Sequence, residues 1–208
     1  MPHLKTLLRF SSLALLVYVV LILPWPGVRE TYRAGYCATG EFLFGRFGSS
    51  GVVRYEPRAK GGLEDVDVIL GKRTKLGTGE APVAMSTGRV GYVPAAVVVA
   101  LILATPIPWR RKWRALVWGL VLVNLFVAFR SALQLLYWFS VPTPVQIHQP
   151  GPFWAAVLSA AYEFLFIAPA CSFLVPVLVW AMVSFRPVNI DRIIHAGTMT
   201  RRPATDSK

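Results

Sequence analysis

The sequence predicts a membrane protein, mainly α, with four transmembrane helices and a small β-containing exoplasmic segment after the first helix. Three observations lead there. Hydrophobic residues make up 55% of the 208-residue chain and the mean hydropathy is +0.52, more apolar than an ordinary soluble domain. The apolar residues gather into four stretches bounded by prolines, tryptophans and basic clusters. The net charge of +12 is spread unevenly: the two ends and the 110–114 loop hold eleven basic and two acidic residues, whereas residues 27–89 hold ten and seven. That bias makes the basic charge a topology signal and places both termini in the cytoplasm.

Residues 1–26 form a cytoplasmic N-terminus and membrane anchor. Lys5 and Arg9 precede an unbroken apolar run, Leu13 to Leu23, which ends at Pro24, Trp25 and Pro26. A signal peptide shares this layout. The residues after the run offer no small-x-small cleavage site, so a retained anchor is expected.

Residues 27–89 form an exoplasmic α/β segment. In its first half, residues 29–47, Tyr32, Tyr36, Phe42, Leu43 and Phe44 lie among charges and glycines, the pattern of an interfacial amphipathic helix. From Gly51 onward, residues 52–55 and 65–70 are short β-rich runs, with 82–85 as a third, so a small antiparallel sheet resting on the membrane surface is expected. Asp65 and Asp67 alternate with Val66 and Val68 and read as the solvated face of a strand.

Residues 90–185 form a three-helix transmembrane region. The second span, 90–107, is interrupted by Pro94 and stopped by Pro106 and Pro108. A cytoplasmic basic loop follows, with Arg110, Arg111, Lys112 and Arg114 within five positions and no acid among them. The third span runs over 115–139. The fourth, 153–185, is too long for one straight span and too short for two, and Pro169 and Pro176 suggest a kink. Residues 186–208 are a basic cytoplasmic tail. Trp109, Trp113, Trp118, Tyr137, Trp138 and Trp154 fall at the expected interfaces, as an aromatic belt does.

Two charges lie deep inside the last two spans, Arg130 and Glu163. Either costs roughly 2.5 to 3.5 kcal/mol at the centre of a spanning helix, so each needs a partner or a task. With the third span running outward and the fourth returning, the two lie at depths of roughly 14 and 15 Å at about 1.5 Å per residue. Each is therefore the other's expected partner. Gln134 is one turn from Arg130 and Ser159 one turn from Glu163, which gives an intramembrane polar cluster of Arg130, Gln134, Ser159 and Glu163. Its first reading is a pair that fixes helix register.

No catalytic residue and no cofactor are expected. Cys171 reads as a small packing residue near the opposite face from Arg130, and Cys37 is too far from it for a disulfide. His3, His148 and His195 fall in separate segments and make no metal set. Gly71, Lys72, Arg73 and Thr74 mimic the end of a phosphate loop, but Val66 occupies the position of its first glycine. Outside the lipid there is no basic helix or aromatic-basic interleaving, which excludes nucleic acid as a partner.

The order of anchor, β-rich outer segment, Gly91-Tyr92-Val93-Pro94, Ala104-Thr105-Pro106, Arg110-Arg111-Lys112 and a third span with Ala128-Phe129-Arg130 and Leu133-Gln134-Leu135 resembles small multi-span bacterial membrane proteins associated with exosortases. The last span, from Ala161-Tyr162 through Ile167-Ala168-Pro169 to Val175-Pro176, is similar too. Arg130 departs from the Gln and Lys usual at this level in those proteins. The resemblance implies an accessory without known catalysis in the inner membrane, with the lipid bilayer and another membrane or exported protein as partners. Two alternatives stay open: a membrane enzyme using Cys171, and a small carrier using Arg130 and Glu163.

Overall fold

A computed structural model describes residues 2–23, 25, 27–48, 50–58, 64–73, 80–167 and 171–184. The tail from 185 onward, with its arginines and His195, lies outside the described residues, as do Pro24, Pro26 and Pro169. The protein is mostly helical with one small antiparallel sheet.

Helix α1, Pro2–Ile22, is followed by α2, Val28–Phe44, the helix that the 29–47 pattern anticipated despite its glycines. Gly40 is what lets α2 lie on the sheet: a Cβ there would stand 2.7 Å from the Tyr55 ring. The sheet is a meander of β1 (Arg46–Phe47), β2 (Gly51–Pro57), β3 (Val66–Lys72) and β4 (Ala81–Met85). Its register pairs Val53 with Leu70 and Tyr55 with Val68. Those residues and Val66 are buried, so one face of the sheet is dry. Pro82 is tolerated because β4 is an edge strand, paired with β3 alone.

The dry face packs against the far end of the helical region. Val53, Tyr55, Val66, Val68 and Leu70 share a cluster with Leu135, Phe139 and Val145. Asp65, expected on a solvated face, is instead buried at 8% exposed. Its carboxylate accepts from the Thr87 backbone N–H at 2.8 Å and the Thr87 hydroxyl at 2.7 Å. Asp65 stands just before β3, where it ties the sheet to the start of the next helix. Asp67 does face outward, 3.8 Å from Arg58.

After a π turn at Gly88–Tyr92 comes α3, Val93–Ala104, then α4, Trp109–Ser140, α5, Pro152–Tyr162, a second π turn at Glu163–Ile167, and α6, Cys171–Ser184. Helix α3 is central, in contact with α1, α4 and α6. Val98, Ile102, Ala115, Val123 and Val179 form the second buried cluster. Gly119 of α4 permits the close approach, since a Cβ there would meet Ile102 at 2.8 Å and Val98 at 2.9 Å.

Two expectations are corrected. Arg110, Arg111, Lys112 and Arg114 are not a loop but the opening turns of α4. Arginine and lysine are good helix formers, and Pro108 supplies a start, so the helix begins as soon as the proline turn ends. Lys112 also reaches back to accept a role in ending α3, its Nζ donating to the Leu103 carbonyl at 2.8 Å. The fourth apolar stretch is two helices, not one kinked one: the axes of 152–166 and 171–184 differ by 80°.

Among the described residues, α4 alone is long and apolar enough to cross a membrane, with a second such span if the bent pair of α5 and α6 counts as one. Leu7–Ile22 and Gly88–Ala104 are apolar but shorter. Helix length and composition thus support membrane association without establishing four spans.

Candidate functional site

The site grows from one side of α4. Arg130 and Gln134 are four residues apart and share a face, and both are buried, 5% and 7% exposed. Arg130 Nη1 donates to Ser172 Oγ at 3.3 Å, and its Cζ lies 4.4 Å from the centre of the Phe166 ring. That is a hydrogen bond and a cation–π contact. Arg130 Nε and Gln134 Oε1 have no hydrogen-bond partner among the described residues.

Ser172 and Phe166 lie on either side of the break between α5 and α6. Arg130 therefore bridges both banks of it. Cys171 Sγ adds a donor to the Phe164 carbonyl at 3.3 Å, across the same break. Of these contacts, the Cys171 bond is the one made to a backbone group, the Phe164 carbonyl. Tyr36 of α2 extends the network, its hydroxyl 3.1 Å from Ser131 Oγ, next to Arg130.

Glu163 is not part of it. Among the described residues the ion pairs are Arg58 with Glu64 at 3.1 Å and Arg58 with Asp67 at 3.8 Å; none joins Arg130 to Glu163. The carboxylate is exposed. Depth matching was not enough because α5 meets α4 through rings. Tyr162 stacks on Tyr137 at 4.1 Å and on Phe166 at 5.0 Å. Tyr162 and Phe166, four apart, hold the face toward α4, and Glu163 stands about 100° around the helix from Tyr162. Ser159 is half-buried, and no hydrogen bond joins it to Arg130. The four expected residues thus divide: Arg130 and Gln134 sit together, and Ser159 and Glu163 stay with α5.

Cys171 is likewise relocated. Instead of lying near the opposite face, it adjoins Ser172 at the level of Arg130 and within its electrostatic reach. Counting residues gives depth only along a straight helix, and the 80° change of direction removes that proportionality. Cys171 is 2% exposed, and both cysteines are free thiols. Burial pushes the thiol of Cys37 up, away from the range of a nucleophile. No group of three His, Cys, Asp or Glu side chains among the described residues is placed to hold a metal.

A second feature is a cleft of about 460 Å³ between α2 and α4, lined by Tyr32, Tyr36, Tyr55, Val127, Ala128 and Ser131 among others. Burial, then the neighbouring tyrosines, push the phenols of Tyr32 and Tyr55 well up, so both remain neutral donors. Ser172 and Phe166 were not legible as partners of Arg130, and no spacing in the sequence links Asp65 to Thr87.

No protein-family model matches the chain, and comparison with curated proteins and with solved structures found no match.

Proposed function

We propose that this protein is a non-enzymatic accessory of the bacterial inner membrane, with four spans and both termini cytoplasmic, which acts by presenting surface to another membrane or exported protein. The observation that carries the reading is α5. None of its side chains is buried within the chain, and Phe153 and Trp154 are among the most exposed apolar residues of the molecule. A helix that contributes so little to its own fold is available to something else. The sheet, with one dry face held on the helices, gives the outer side of the membrane a fixed platform. In this reading α1 and the Gly88–Ala104 helix complete the membrane region, although their apolar cores, Leu7–Ile22 and Gly88–Ala104, are the shorter ones. The resemblance stated above makes support of exosortase-type protein sorting the proposed setting.

Photo-crosslinking from position 154 or 157 in native membranes tests the reading. Adducts with one other envelope protein are expected. Adducts with lipid alone would contradict it.

The nearness of Arg130 to Cys171 favours a second reading, a thiol-dependent membrane enzyme: Arg130 Nη1 donates to Ser172 Oγ at 3.3 Å, beside the thiol, and chemistry of that kind sets a cation next to its cysteine. Cys171→Ser separates the two: it leaves an accessory's cellular function intact and abolishes that of a thiol enzyme. The carrier reading draws on Arg130 and Glu163 as a pair, and no ion pair joins them among the described residues.

A further inference from the structure

Along α5 and into the first residue of the π turn that follows it, Phe153, Ala156, Ala160 and Glu163 recur at intervals of three and four residues, and all four are exposed. They form one stripe of the helix. Its centre is two alanines, low enough to let another helix approach closely. Its inner end is a carboxylate with no ionic or hydrogen-bond partner among the described residues. The preceding Tyr162 and following Phe166 are engaged with each other, so the face toward α4 is closed to it.

Lipid can cover Phe153 and the alanines but offers Glu163 nothing. A charge within an apolar helix is costly unless met by an opposite one, and its usual partner is a basic side chain on a neighbouring helix. A second copy of this chain does not supply it. Arg130, the one basic residue in the middle of an apolar helix, is buried against Ser172 and Phe166, and the remaining cations of the apolar helices stand near their ends. Resting on the membrane-accessory reading above, we infer that the Phe153–Glu163 stripe is the docking face for a transmembrane helix of a different protein, one that carries an arginine or lysine facing Glu163.

The test uses the full-length chain, donor-labelled and reconstituted in phosphatidylcholine vesicles. Acceptor-labelled single-span leucine-alanine peptides are added, one with an arginine about ten residues from its outer end and one with leucine there. Energy transfer is expected to report association with the arginine peptide at least about tenfold tighter than with the leucine peptide. Glu163→Gln should remove the difference while leaving the melting temperature unchanged. Equal association of the two peptides, or an arginine preference that survives Glu163→Gln, would overturn the inference. So would self-association of the chain that depends on Glu163 and excludes the arginine peptide, since the occupant would then be a second copy. Resistance of the reconstituted chain to carbonate extraction is measured on the same vesicles. Failure there sinks the membrane reading itself; carbonate-resistant chain with no arginine preference sinks the docking inference alone.

Discussion

Helices α3 and α5 are alike in length and composition, twelve and eleven residues of mostly Val, Ala and Leu or aromatic character, yet their surroundings are opposite. Seven residues of α3 are buried; none of α5 is. The difference lies in how side-chain size is arranged. Around α3 the valines and alanines are small on every side, so α1, α4 and α6 can all approach, α4 by means of Gly119. Helix α5 puts its contact into one column of rings, Tyr137, Tyr162 and Phe166, and leaves the other sides unmet. Apolar composition alone does not decide burial when lipid is an acceptable neighbour. The same division separates the two charges of the apolar helices: Arg130 faces the bundle, buried against Ser172 and Phe166, and Glu163 is exposed on the arm.

That contrast is sharpest at Arg130. Arg130→Ala removes a charged hydrogen bond and a cation–π contact, and should lower stability by about 2 to 4 kcal/mol, read as a loss of thermal stability in detergent. Of similar but smaller size is the junction of sheet and bundle: Asp65→Ala strands the Thr87 N–H and should cost about 1 to 3 kcal/mol by the same melting assay. Gly119→Val tests the small-residue account of α3. It drives a methyl pair into Val98 and Ile102 and should destabilise by about 1 to 3 kcal/mol. On the arm the expected effect nearly vanishes. Glu163→Leu should leave the melting temperature unchanged or slightly raised, and a large drop would mean that α5 is integrated into the fold after all.

Much of this architecture could be read from local pattern. The β-rich runs, the amphipathic helix before them and the shared face of Arg130 and Gln134 depend on periods of 2 and 3.6, which the chain keeps. What escaped depends on azimuth and on breaks. Asp65 has the alternation of a solvated strand residue, but its partner Thr87 is 22 positions away, with two strands between. Residue counting matches Glu163 to Arg130 in depth but says nothing of direction, and it is Tyr162 that faces α4. Cys171 is counted along a helix that turns, so the count puts it at the wrong level, and Ser172 carries no pattern that marks it as a partner of Arg130.

The most direct test of the division is a double-mutant cycle on Arg130→Ala and Glu163→Ala, with unfolding free energies measured for the parent, both single variants and the double. A large effect of Arg130→Ala is expected, with little from Glu163→Ala and additivity within about 0.5 kcal/mol, as for groups that do not touch. A coupling energy above about 1 kcal/mol would contradict it and restore the two charges as a pair.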